Sequence, residues 1–107
     1  MTLPELAQKL LTLGYPVAYS HFASTQTPPF ICYLVVDSDT FSADDKPIHE
    51  SIDVDIELYV KSKSLAIENQ IKDLLTENEL SWTYNEIWLK DEGVFQCTFS
   101  IQILTGE

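Results

Sequence analysis

Apolar and polar residues alternate most clearly in the middle of the chain. The apolar series Ile52, Val54, Ile56, Leu58 and Val60 is interleaved with Asp53, Asp55, Glu57, Tyr59 and Lys61. Because successive side chains of a strand point to opposite faces, this period of two predicts a long strand with one buried and one solvated face. Asp53, Asp55 and Glu57 give the solvated face an acidic character.

Two segments have apolar residues at helical spacing instead. The stretch Thr2-Leu3-Pro4-Glu5 has the spacing of a capping box, and Gly14 followed by Pro16 is a stop signal, so a first helix is predicted over Leu3–Leu13. Ser62 or Ser64 is the predicted N-cap of a second helix. The buried side of that helix is formed by Leu65, Ile67, Ile71, Leu74 and Leu75, and Asn78 is predicted as the left-handed residue at its end.

Four further segments favour strands by their β-branched and aromatic content, namely Val17–Phe22, Phe30–Val36, Ser81–Leu89 and Val94–Leu104. The turn Lys90–Gly93 joins the last two, and Asp37–Pro47 is predicted to be a long acidic loop. The order is therefore α-β-β-β-α-β-β, and short connections favour a mainly antiparallel sheet of about five strands with both helices on one face. We predict a single two-layer α+β domain over residues 1–107.

The charge balance limits the partners that the chain can have. It carries 17 acidic residues against 6 lysines and a net charge of −11. Clustered cations for binding a phosphate backbone or an anionic membrane are missing from the sequence. The longest apolar stretches fall short of the ~20 residues of a membrane span, and the first residues lack the pattern of a secretory signal, so we expect a cytoplasmic location.

The residues that could carry chemistry do not form a catalytic or metal-binding pattern. Ser20 and His21 are expected to point to opposite faces of a strand, which separates the hydroxyl from the imidazole. Cys32 and Cys97 are expected to be buried free thiols, and no spacing typical of zinc or calcium ligands occurs. We therefore predict no catalytic residue, metal or cofactor, and a protein that is not an enzyme.

Several stretches resemble a known family. PVAYSHF, PPFICYL, SADDK and IELYVK, in this order along almost the whole chain, are similar to segments of small phage and prophage proteins of Gram-positive bacteria. These proteins are known as tail completion, tail terminator or head-tail joining proteins of phages with long non-contractile tails. The motifs are pieces of a fold, and none of them is a catalytic signature.

The resemblance implies a virion assembly protein at the head-proximal end of the tail. Such a protein is expected to form a ring, often a hexamer, that caps the tail tube, contacts the head connector and lets DNA pass through an acidic lumen. Its place would be the host cytoplasm during assembly and the virion afterwards. Contacts with a neighbouring copy or partner are then expected in the acidic loop, at Asp37, Asp39, Phe41, Asp44, Asp45 and Lys46. An ordinary solvated loop is the alternative for the same residues.

A different class of function also fits the acidity. Carboxylates between Asp37 and Glu57 resemble a row of phosphates, which would suit a prophage-encoded DNA mimic that inhibits a nucleic-acid-binding protein of the host. The tail role and the mimic role remain open at the level of sequence.

Overall fold

The computed structural model describes residues 1–41 and 49–105. Its elements are α1 (Leu3–Leu11), β1 (Val17–Tyr19), β2 (Phe30–Phe41), β3 (His49–Val60), α2 (Leu65–Glu77), β4 (Trp82–Leu89) and β5 (Val94–Thr105). The strands form one five-stranded sheet in the order β1-β2-β3-β5-β4. The β1–β2 pair is parallel and the other pairs are antiparallel. The predicted α+β order is confirmed, with a mixed sheet.

Both helices pack against the same face of the sheet, which we call the covered face. Leu6 and Leu10 of α1 and Ile71, Leu74 and Leu75 of α2 join one apolar cluster with the sheet. The sheet contributes alternate residues of its central strands to this cluster, namely Ile52, Val54, Ile56, Leu58 and Val60 of β3 and Cys97, Phe99, Ile101 and Ile103 of β5. We call the other side the open face, because neither described helix lies against it. Neither of these helices has the length and apolarity of a membrane span.

The first helix begins as predicted and ends early. The Glu5 N–H donates to Thr2 Oγ1 at 3.2 Å, and the Thr2 N–H donates back to Glu5 Oε1 at 3.1 Å, which completes the capping box. The helix ends at Leu11 because the Thr12 N–H bonds to the Lys9 carbonyl in a tightened last turn. Gly14 has a φ of +92°, in the left-handed region that its place after the helix requires.

The second helix ends on a different residue from the one predicted. Ser64 is its N-cap, but Asn78 has a φ of −101° and the left-handed residue is Glu79, at a φ of 57°. Asn78 is the C-cap, and its Nδ2 donates to the Leu74 carbonyl at 2.7 Å, so its side chain bonds to a carbonyl of the last turn. The Leu80 N–H then bonds to the Leu75 carbonyl and the Glu79 N–H to that of Thr76, which is a Schellman motif.

Two predicted strand boundaries are wrong, in opposite directions. The first strand ends at Tyr19 instead of Phe22, because Ser20 turns to a φ of 65° and the His21 N–H bonds to the Tyr19 carbonyl at 2.7 Å. The second strand continues past Val36 to Phe41, so residues 37–41 belong to β2 and not to the predicted loop. They pair with β3 from Asp37 opposite Asp53 to Phe41 opposite His49.

Candidate interaction surface

The predicted acidic residues of β3 lie in one row on the open face. Asp53, Asp55 and Glu57 are half-buried rather than fully solvated, and each accepts a hydrogen bond from a neutral side chain of β5. The donors are Gln102 Nε2 to Asp53 Oδ1 at 3.5 Å, Ser100 Oγ to Asp55 Oδ1 at 2.7 Å and Gln96 Nε2 to Glu57 Oε2 at 3.1 Å. Neutral side chains thus hold the carboxylates in place, and among the described residues no lysine forms an ion pair with them.

Within the row, Glu57 is the carboxyl group whose pKa is shifted by its surroundings. Burial raises the pKa of its carboxyl, and the hydrogen bond from Tyr59 OH at 2.9 Å acts in the opposite direction. Burial also raises the pKa of Tyr59, as does its bond to Glu57. The Tyr59 ring stacks on Phe30 with centroids 4.8 Å apart. Glu57 therefore stands where the acidic row meets an aromatic part of the same face.

The acidic row continues onto β2 through Asp37 and Asp39. Asp37 pairs directly with Asp53 and Asp39 with Ser51, and both aspartates are exposed. Directly opposed carboxylates repel each other, so this end of the sheet is a concentrated negative surface. Of the other predicted contact residues, Phe41 ends β2, while Asp44, Asp45 and Lys46 lie outside the described residues.

Ser20 and His21 do meet, contrary to the prediction. Because Ser20 turns to positive φ instead of continuing the strand, its Oγ lies 3.2 Å from His21 Nδ1. Both side chains are exposed, and among the contacts of the described residues none joins a carboxylate to His21. The pair therefore has a hydroxyl and an imidazole but not the third group that would orient the imidazole as a base.

The loop that contains this pair covers one end of the open face. Between the loop and the sheet lies a cavity of about 570 Å³, with the loop on one side and Phe30, Cys32, Tyr59 and Val94 on the other. Phe22 packs edge-on against Phe30, with ring centroids 5.4 Å apart. Burial raises the pKa of the Cys32 thiol, which opposes formation of a thiolate. Both cysteines are buried and free, as predicted.

A cluster of charged and polar side chains on the covered face was not predicted. The Lys63 ammonium donates to Glu68 Oε1 at 3.2 Å, to Glu86 Oε1 at 2.5 Å and to Tyr84 OH at 3.2 Å. Glu68 Oε2 lies still closer to the Lys63 ammonium, at 2.9 Å, but it accepts no hydrogen bond. This buried oxygen is therefore stabilised by the charge of the ammonium alone. Helical periodicity predicts an apolar residue at position 68, and no pattern in the sequence indicates a buried glutamate there.

Lys63 supplies the positive charge of this cluster. Possible ligand atoms of Glu68, Glu86 and Cys97 lie within 4.8 Å of one another, which is close enough for a metal ion. The ammonium lies between the two carboxylates. Its hydrogen bonds to Glu86 and Glu68 raise the pKa of Lys63, and the bond from Lys63 lowers the pKa of Glu86. Burial raises the pKa of the Cys97 thiol, which makes it a poor metal ligand. The arrangement therefore reads as an ion-pair cluster that ties α2 to β4.

Comparison of the chain with protein-family models gives no match, and comparison with curated protein sequences gives none either.

Proposed function

We propose that the protein is a non-enzymatic phage or prophage assembly protein, a tail terminator or head-tail joining component. In this role copies of the chain form a ring that caps the tail tube and contacts the head connector. The choice of this family rests on the resemblance of the sequence motifs. The observation that carries the proposal is the fixed acidic surface of the open face, which extends from Glu57 across Asp55 and Asp53 to Asp37.

This surface suits the passage of DNA. Carboxylates that bind neutral donors keep their charge, and a row of them repels a phosphate backbone. A ring lined by such a row would let DNA pass without adhering to it.

The test is electron microscopy of tails assembled without the protein. We expect tails of irregular length that do not join heads, and normal lengths restored when the wild-type gene is supplied. Normal, fixed tails that join heads in its absence would refute the role. Complementation with Asp53→Asn, Asp55→Asn and Glu57→Gln combined, which preserves side-chain size and leaves each position one acceptor oxygen, tests the acidic row. Normal tails with reduced DNA delivery are the expected result.

A second function, DNA mimicry, is favoured by the spacing of the same row. Alternate residues of a strand lie roughly 7 Å apart, so Asp53, Asp55 and Glu57 form a regular line of negative charges. A pull-down from host lysate distinguishes the two proposals. A stoichiometric DNA-binding protein of the host would support mimicry, and tail tube or connector protein would support assembly.

A further inference from the structure

The cavity on the open face lies at the end of the sheet where β2 begins and β3 ends. Phe30 is the first residue of β2, and it pairs with Tyr59 near the end of β3. Residues from the loop 20–28 form one wall, the sheet forms the other, and the space between them has a volume of about 570 Å³. Cavities that bind small molecules have volumes of about 300–1,000 Å³ and mainly apolar walls. The space therefore has the size that a small organic ligand requires.

The loop wall is held in place by contacts of the chain itself. At its start the Ser20 N–H donates to the Tyr33 carbonyl of β2 at 2.8 Å. Further along, the Phe22 ring packs on Phe30, so the loop is attached to the sheet by a side chain as well. A ligand that enters a wall already positioned in this way has little to order, which lowers the cost of binding.

Three aromatic rings give the cavity its main contact surface. The rings of Phe22 and Phe30 are nearly perpendicular, at 87°, and Phe30 is stacked on Tyr59. All three line the cavity and are only half-buried, and the Tyr59 hydroxyl is already bonded to Glu57. Covering the remaining aromatic surface is favourable, and a planar ring can do so by the same stacked and edge-on contacts. This wall therefore favours an aromatic ligand.

The charged groups at the cavity select against a charged ligand. Lys61 and Glu92 both line it and are exposed, and among the described residues neither forms an ion pair. A ligand of either sign thus meets one attractive and one repulsive group, and the net charge of −11 further opposes an anion. Burial raises the pKa of the Cys32 thiol, so this part of the sheet wall is neutral. Because a charge loses more hydration than a neutral group on entering an apolar site, an uncharged ligand is favoured.

We propose that this cavity binds a small, uncharged aromatic molecule that carries a polar substituent. The ring packs against the three aromatic side chains. Ser24, Thr25 and Gln26 of the loop wall face the substituent, and within the described ranges their side chains have no other hydrogen-bond partner. The Gln26 amide both donates and accepts, which suits a neutral polar group. This site goes beyond the tail role and does not depend on it.

Three compounds with the same bicyclic ring test the site. Near neutral pH indole-3-acetamide is neutral, indole-3-acetate is anionic and tryptamine is cationic. Each is titrated into the isotope-labelled chain and followed by NMR. With indole-3-acetamide we expect saturable shifts at the backbone amides of Phe22, Cys32 and Tyr59 and a dissociation constant of about 1 mM or tighter. The two charged compounds should bind about fivefold more weakly or less.

Phe22→Ala and Trp88→Ala are a matched pair of variants. Phe22 lines the cavity, whereas Trp88 is 48% exposed and packs on Phe95 on the covered face. The first change should weaken binding of indole-3-acetamide by about fivefold or more, and the second should leave it unchanged. Thr25→Trp, at an exposed loop position, should fill the cavity and abolish the shifts. The NMR spectrum of each variant shows whether its fold is retained.

Each of three results would overturn the site. The first is the lack of a saturable shift with indole-3-acetamide up to its solubility limit. The second is equal or tighter binding of a charged compound. The third is equal affinity of Phe22→Ala and the wild-type chain, which would place the compound elsewhere. None of these results alters the tail lengths expected above, so failure of this site and failure of the tail role are distinguishable.

Discussion

The two faces of β3 are built from alternate residues of one strand, yet different interactions hold them. On the covered face Val54, Ile56 and Leu58 are fully buried under the two helices. On the open face Asp55 and Glu57 remain half-exposed and bind neutral donors of β5. Burial of apolar area stabilises the fold in proportion to the area, whereas a hydrogen bond that replaces one to water adds little net free energy.

The comparison teaches that stability and recognition are separated by a single residue step along the strand. A change on the covered face should affect folding first, and a change on the open face should affect binding first. Three substitutions test this separation, and they differ in the size of the expected effect.

The largest effect is expected for Ile56→Ala. The side chain is 0% exposed, and Phe99 lies directly opposite on β5. Removing three buried carbons leaves a cavity that the packed helices cannot fill, so the free energy of unfolding should fall by about 3 kcal/mol. Denaturant titration followed by circular dichroism measures it.

Asp55→Asn is the matched control for this change. It alters the neighbouring residue on the open face and keeps an acceptor for Ser100, so its cost should stay below about 1 kcal/mol. A cost equal to that of Ile56→Ala would remove the distinction between the faces.

An intermediate effect is expected for Lys63→Met, which tests the cluster of Lys63, Glu68 and Glu86 on the covered face. The change leaves Glu68, which is 1% exposed, without the ammonium that neutralises it. Because an unsatisfied buried acceptor is costly and Lys63 is itself exposed, a loss of about 2 kcal/mol is expected by denaturant titration. Lys61→Met, at an exposed lysine two residues away, should be nearly neutral. Equal losses would mean that the cluster does not tie α2 to β4.

The smallest effect is expected for Glu57→Gln, and it has the opposite sign. The pKa of Glu57 is raised in the folded state, mainly by burial, so ionisation near neutral pH opposes folding. Glutamine removes that cost and still accepts from Tyr59, but its amide nitrogen replaces the oxygen that accepts from Gln96, so the net gain should stay below about 1 kcal/mol. As the pH falls through the raised pKa, wild-type Glu57 becomes protonated and the advantage should disappear. Stability curves of both proteins across mildly acidic pH measure this. A gain that persists or grows in acid would contradict it.

Local patterns predicted most of the fold. The strict alternation from Ile52 to Val60 predicts β3, and the capping box at Thr2 predicts the start of α1, because in both cases the signal lies within a few residues. The wrong boundaries depend on partners that are distant in sequence. Asp37-Ser38-Asp39-Thr40 has turn-like composition, but β3 offers a bare edge beside it and draws it into the sheet. Here tertiary pairing overrides local propensity.

The candidate surface was predicted in composition but not in arrangement. Asp53, Asp55 and Glu57 share a face as expected, whereas their neutral partners on β5 depend on the register of two strands separated by a helix and β4. Ser20 shows the same limit, since its positive φ brings together two side chains that a regular strand would separate. Lys63 and Glu86 meet for a similar reason, across 23 residues of chain.

The irregularity between Val35 and Asp37 in β2 is a β-bulge, in which one extra residue shifts the alternation of the side chains that follow it. Val35 pairs with buried Val54, so regular alternation would turn Asp37 and Asp39 toward the helices. The extra residue shifts the phase, and Asp37 instead shares a face with Asp53. Deleting Val36 would remove the extra residue and leave Asp37 directly after Val35, so both aspartates should stay on the open face. With Val36 present, it is the bulge that keeps these two charges on the open face and away from the apolar core.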